Sequence, residues 1–237
     1  MKKIVFIFFS FLVWNFLNPQ AFAAKLSPTI YYIKVIDLNK PCRSGKNIIH
    51  GDRGQELYRV CSDQYKACMI EGTCAIQKDA VSDIENQNTD FNKPIDIINY
   101  KGTKNGVAIF SQVDRQVCPW GFGVSQICLD PYYSIAADLN YHKAGEVIFV
   151  DKLKGVRLPN GEVHSGLLVV RDRGGAIKGR DRFDFFTGVV EYLDPENPFT
   201  KLGLAGSTNK FEYRLATAHE TEAFKSERQF PKVPREH

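Results

Sequence analysis

The chain has 237 residues, 43% of them hydrophobic and 24% charged, with a formal net charge of +4. Acids and bases are interspersed, so there is no electrostatic case for nucleic-acid binding. The length suits one domain with additions, large enough to bury its own core. The first segment, residues 1–23, reads as an export signal: Lys2 and Lys3, then an apolar run from Ile4 to Leu17, then Ala21-Phe22-Ala23. That run falls short of the roughly 20 residues a membrane span needs, and the small residues place cleavage after Ala23. No second long apolar run follows. The expected mature protein is therefore secreted or periplasmic, with no membrane insertion after signal cleavage.

Residues 24–28 read as a short leader. Thr29 to Leu38 is rich in β-branched and aromatic residues and predicts one strand. Asn39 to Gly54 is a polar loop. Gln55 to Ile70 spaces its apolar residues along one face of a helix, which Gly72 ends. Lys78 to Pro94 is a polar surface excursion. Short strands are then expected at Asp96–Tyr100, Val107–Gln112, Tyr133–Ala137, Glu146–Asp151, Gly166–Asp172, Phe183–Gly188 and Lys210–Leu215, with an Asn160-Gly161 turn among them. Many short strands with Gly and Pro turns predict a mainly β barrel or sandwich. Beyond Ala218 the charged sequence predicts a frayed tail.

The six cysteines are Cys42, Cys61, Cys68, Cys74, Cys118 and Cys128. An even number in an exported chain favours disulfides. The pairing stays open, although Cys118 and Cys128 flank a short Pro/Gly loop and could close it. No Cys-x-x-Cys pair or histidine sits at zinc-ligand spacing, so no metal and no cofactor are expected.

Three aspartates carry the chemistry. In an extended Arg182-Phe183-Asp184-Phe185-Phe186, Asp184 and Phe186 face one way and Phe183 and Phe185 the other. Apolar surroundings favour the neutral carboxyl, and neighbouring carboxylates raise its proton affinity further. Such a group can protonate a glycosidic oxygen. Asp172 ends a hydrophobic run and precedes Gly174 and Gly175, which permit close approach of a ligand. Lys178 adds positive charge. Asp138 ends the small-residue strand Ser134-Ile135-Ala136-Ala137, and Tyr133 close by could stack on a sugar face. No Gly-x-Ser-x-Gly elbow, phosphate loop or paired Asp-Thr-Gly is present.

These segments, with Ala144-Gly145-Glu146-Val147 and the run Val169 to Gly179, resemble the three-aspartate (3D) domain of the membrane-bound lytic transglycosylase A family. All three aspartates match in order over roughly Leu129 to Gly188, and a weaker likeness covers Tyr58 to Ala75. The resemblance implies a mainly β fold: a double-psi β-barrel with one or two short helices and a cysteine-rich N-terminal elaboration. On that reading residues 24–100 contribute to the barrel, 101–217 form its core and 218–237 are a flexible tail. The length implies that the inserted second domain of larger members is missing. The implied activity is cleavage of the MurNAc-β-1,4-GlcNAc bond of peptidoglycan without water, giving 1,6-anhydroMurNAc ends. Asp184 corresponds to the acid/base and Asp172 and Asp138 to supporting carboxylates. Gly174, Gly175, Lys178 and Tyr133 are candidate substrate contacts. The expected partner is the peptidoglycan glycan strand and the expected state a monomer. The alternative is a non-catalytic barrel that binds cell-wall glycan or a protein.

Overall fold

The computed structural model describes residues 24–43, 45–77 and 95–231. The export signal, the excursion at 78–94 and the last six residues lie outside the described residues. Twelve strands form among the described residues, in two groups. A closed six-stranded barrel is built from β1 (Ala24–Tyr31), β8 (Ser134–Ala137), β9 (Val147–Phe149), β10 (Leu167–Asp172), β11 (Arg182–Phe186) and β12 (Phe211–Leu215). Its order is β1-β11-β8-β10-β9-β12, with β1 parallel to β11 and β8 parallel to β10.

The second group is a six-stranded sheet inserted between β1 and β8. It contains β2 (Lys34–Asp37), β3 (Lys46–His50), β4 (Glu56–Cys61), β5 (Thr73–Gln77), β6 (Ile95–Lys104) and β7 (Val107–Val113). The expectation that an inserted unit is missing is therefore corrected. The strand β7, assigned to the barrel core, belongs to this sheet, as does the end of β6 beyond residue 100, while the leader becomes the start of β1, a barrel strand. The single strand expected at Thr29–Leu38 splits at Tyr32-Ile33, and its halves join different sheets.

Alternation explains β1. Leu26 and Ile30 point into the barrel core, and Ser27, Thr29 and Tyr31 take the other face. That core gathers Ile135, Ala137, Leu168, Val170, Phe183, Phe185 and Phe199. A separate cluster of Ile36, Ile49, Cys68, Ile76, Ile98 and Phe110 supports the inserted sheet. The seam between the two units is apolar. Phe186 from the barrel meets Ile33, Ala75, Ile97 and Val113 of the insert and Cys118, Cys128 and Leu129 of the link.

The helix expected at Gln55–Ile70 forms only over its second half. Residues Glu56–Cys61 pair with β3 as β4, and helix α1 spans Ser62–Glu71. Leu57 and Tyr58, Val60 and Cys61 satisfy a strand as readily as a helix, and pairing with β3 decides. A four-residue helix α2 covers Pro198–Lys201. The expected flexible tail is instead α3, Ala218–Arg228. Thr217 and Glu220 form a capping box at its start, Phe224 enters the barrel core, and Arg228 clamps Asp130 at 2.9 Å and Glu162 at 2.8 Å. Sparse apolar spacing hid a helix whose order comes from one buried ring and one guanidinium.

The disulfides are Cys42–Cys61, Cys68–Cys74 and Cys118–Cys128. Among the described residues no helix is long and apolar enough to cross a membrane.

Candidate active site

The outer face of the barrel beside the seam gathers the acidic groups. Central strand β8 lies between β10 and β11. Ala136 is opposite Asp184 on one side and Asp172 on the other. The two carboxyl-bearing residues thus stand two strand spacings apart, about 10 Å between backbones, across one small side chain. A β-bulge makes this possible. Val170 pairs with Ile135 and Asp172 with Ala136, so Arg171 is the extra residue on β10. Without it, Asp172 would alternate into the barrel core; with it, Asp172 turns to the face of Asp184. The Arg171 side chain is 2% exposed and is anchored to the carbonyls of Cys128 and Gln229 at 2.8 and 3.0 Å.

Asp184 lies opposite Thr29 of β1, whose hydroxyl donates to its Oδ1 at 2.7 Å. Arg182 donates to the Thr29 hydroxyl at 2.8 Å and to the Ser27 carbonyl at 3.0 Å. Burial raises the Asp184 proton affinity, opposed by the Thr29 hydrogen bond and the Arg182 charge. Burial likewise raises Asp172 to about 7, with the charge of Asp184 adding to it; the Arg173 N–H at 2.8 Å and the Tyr31 hydroxyl pull the other way. The Tyr31 hydroxyl is fully covered and faces Asp172 without closing a well-formed hydrogen bond. Burial, then the charges of Asp172 and Asp184, hold that phenol well above its ordinary value. The arrangement can keep a proton on a carboxyl near neutral pH, deliver it, and take one back.

Asp138 is placed differently. It accepts from the Gly179 N–H at 2.9 Å, the Asn140 N–H at 3.1 Å and the Asn140 side chain at 2.9 Å. The Gly179 and Asn140 backbone bonds favour the ionised form and lower its proton affinity. Asp138 therefore ties the end of β8 to the loop entering β11 and is not one of the groups whose charge raises Asp172 or Asp184.

The candidate substrate contacts separate. A Cβ at Gly174 would meet Ile177 Cγ1 at 2.4 Å, so that glycine lets Ile177 fold back; one at Gly175 would meet nothing within 4 Å. Lys178 is exposed, and its charge favours ionised Asp138. Tyr133, read as a candidate substrate contact, packs in the barrel core. It is 4% exposed, stacked on His164 at 4.8 Å, and donates to Glu162 at 3.0 Å. Its neighbours in sequence bring it into the core, away from the carboxyl pair.

Two features escaped sequence reasoning. Glu71, the last residue of α1, reaches the site from the inserted sheet and is raised to about 7, first by burial and also by the charge of Asp184. Nothing in its local sequence marks it, because the seam brings it there. The second is the position of the loop closed by Cys118–Cys128, which is wedged between the units. The Asn99 side chain donates to the Phe122 carbonyl at 2.7 Å, while Gly123 lies on β10. A Cβ at Gly123 would meet the Arg171 carbonyl oxygen at 2.3 Å and Asp172 Cγ at 2.8 Å. Gly123→Ala is expected to cost about 1–3 kcal/mol and to displace the loop covering Asp172. Urea denaturation checks this; an unchanged midpoint would refute the close approach. Among the described residues no group of three His, Cys, Asp or Glu side chains is placed to hold a metal ion.

A family model for the 3D domain matches residues 133–195, the stretch containing all three aspartates. That stretch of the chain is similar to a 3D domain. Around it, the fold is similar to that of MltA from Escherichia coli in a structure with bound chitohexaose, at 16% identity and a TM-score of 0.50, covering 82% of this chain and 72% of that one. It is similar also to a membrane-bound lytic murein transglycosylase from Agrobacterium tumefaciens, at 13% identity and a TM-score of 0.51, covering 83% and 75%. At these identities the likeness is one of fold, and it extends beyond the 3D domain into the inserted sheet. No curated protein matches the chain in sequence.

Proposed function

We propose that this 3D-domain protein is a peptidoglycan lytic transglycosylase with Asp184 as its acid/base. The observation that carries the reading is the pairing of Asp184 and Asp172 across Ala136 on the face beside the seam, both with raised proton affinity. The shared fold with lytic transglycosylases supports it. Asp184 donates its proton to the glycosidic oxygen as the C1–O4 bond breaks. The substrate's own C6 hydroxyl bonds to C1, and its proton passes to Asp184. The product is a 1,6-anhydro end, no water is consumed, and the carboxyl is restored. An internal nucleophile makes one acid/base sufficient, where hydrolysis needs a second carboxylate to activate water or attack the sugar. Asp172 is the supporting carboxyl across Ala136, and Asp138 fixes the loop before β11.

The barrel belongs, on this reading, to the double-psi type, which its two parallel pairs, β1 with β11 and β8 with β10, support. Residues 1–23 act as a cleaved signal and the mature monomer works outside the cytoplasm, where its cysteines are oxidised. The test is mass spectrometry of the soluble products from purified sacculi. Anhydro-muropeptides are the expected result. Reducing ends would replace the lyase with a hydrolase, and sacculus binding without products would leave a glycan-binding barrel.

A further inference from the structure

Arg171 is a charged side chain where a barrel strand ordinarily buries an apolar one. It is 2% exposed, and a guanidinium out of water is tolerated only where hydrogen bonds replace its hydration. Its hydrogen bonds run to two backbone carbonyls, Cys128 at 2.8 Å and Gln229 at 3.0 Å. Asp130 lies at 3.9 Å, and among the described residues the buried Nε has no hydrogen-bond partner. Loss of either carbonyl would therefore leave further buried donors unmet.

The Gln229 carbonyl comes from a short segment, Gln229 to Pro231, that follows α3 and crosses the bulge of β10. The Gln229 side chain is exposed, yet its backbone sits at φ +54° and ψ 169°. That conformation borders a region that is essentially glycine's alone, and such strain persists only where the surroundings impose it. Here the turn aims the carbonyl at Arg171. Phe230 comes next, packed on the barrel core with the Arg171 guanidinium 4.8 Å from its ring centroid. Its other neighbour is Gly145, where a Cβ would meet Phe230 Cζ at 3.7 Å. The Gly145 N–H donates at 2.7 Å to the carbonyl of Val170, the residue before the bulge. The Pro231 carbonyl then accepts from the Cys128 N–H at 3.0 Å. The segment thus grips Arg171, the strand beside it and the disulfide loop together.

We propose that Gln229 to Pro231 form a positioning strap, which fixes Arg171 in the bulge of β10 and so holds Asp172 on the face it shares with Asp184. The action runs through the backbone. The extra residue of a bulge has no ladder partner of its own, so side-chain anchors decide how Arg171 is turned. Asp172 follows it by one peptide. With an anchor lost, β10 can relax toward regular alternation, which carries Asp172 off the face opposite Ala136. The consequence for turnover rests on the lyase reading, in which Asp172 supports Asp184; the consequence for Asp172 does not.

The test compares two changes at one exposed residue of the full chain. Gln229→Gly is the conservative variant, because glycine adopts positive φ freely. Gln229→Val opposes the turn, because a β-branched residue is a marked outlier there. Carboxyl 13C NMR of Asp172 is a readout that a merely structural strap would not move. The groups facing Asp172 are Tyr31 on β1, Arg173 next in the chain and Asp184 on β11. Native protein and Gln229→Gly should share one Asp172 midpoint. In Gln229→Val the Asp172 proton affinity should fall about tenfold, as the carboxyl leaves its buried place. The kcat for anhydro-product release should also fall about tenfold in Gln229→Val with KM unchanged, and stay within about twofold in Gln229→Gly. Arg171→Lys, which keeps the charge but not the fork that spans two carbonyls, should repeat the effect of Val. An Asp172 midpoint that is the same with Gly and Val at this position overturns the proposal, whatever the thermal midpoints do. Absence of product from every variant and from native protein refutes the lyase reading instead, and the Asp172 titration still decides the strap.

Discussion

Asp184→Asn is expected to lower anhydro-muropeptide release by about a thousandfold or more while leaving the fold intact. Removing a positioned acid/base costs roughly two to four orders of magnitude, and here one group both gives and takes the proton. Asn keeps the acceptor that the Thr29 hydroxyl uses at 2.7 Å and presents the same shape to β1 and β8. The loss should therefore appear in kcat with KM little changed. Circular dichroism should match the native protein, and the thermal midpoint near neutral pH should not fall, because Asp184 too is raised by burial. Product release within tenfold of native would remove Asp184 from the acid/base role.

Replacing Asp172 with Asn should stabilise the protein above neutral pH, by about 2–4 kcal/mol at pH 8. An unfolded aspartate loses its proton near 3.9, while native Asp172 holds its proton to about 7. A raised acid contributes stability that is complete below the unfolded value and is lost as pH rises toward the folded one. Between about pH 4 and 7 the unfolded chain ionises and the native site does not, so native stability falls across that window. Asn carries no such proton and still accepts from the Arg173 N–H. Urea midpoints of the two proteins should coincide near pH 4 and separate steadily toward pH 8. A constant gap across that range would show that burial is not what raises Asp172. A gain in stability together with a loss of turnover is the trade expected where a site holds an unfavourable charge for its chemistry.

Much of the barrel was legible. Alternation in Arg182-Phe183-Asp184-Phe185-Phe186 placed two phenylalanines inward and the carboxyl outward, and Phe183 and Phe185 do lie in the core while Phe186 lies in the seam. The short strands from Asp96 onward all formed, because β-branched runs between Gly and Pro turns leave few alternatives. What sequence could not supply was partnership. Thr29 to Leu38 is uniformly strand-forming, so nothing local announces that the chain changes sheets at Tyr32. The Arg171 bulge is set by pairing with β8 and by carbonyls at Cys128 and Gln229, far along the chain. Asp138 and Asp172 were both read as supporting carboxylates, yet Asp172 meets Asp184 across Ala136 while Asp138 binds backbone N–H groups. Glu71 and Gly123 came from outside the motif altogether, and only the seam gives them their neighbours.

The position of β1 fixes an order of assembly. Thr29 meets Asp184 across 155 residues, and β1 also borders β12, near the far end of the polypeptide. Contacts so distant in sequence form slowly, and a chain delivered from its N-terminus must leave β1 unpaired until nearly everything else has followed. The strands between them close first, and all three cystines lie in that early portion, from Cys42 to Cys128. Oxidation can thus lock the insert while β1 waits as an open edge, exposed to misassembly. The carboxyl pair gains its Thr29 partner only at that last joining, so the protein matures with its chemistry switched on last.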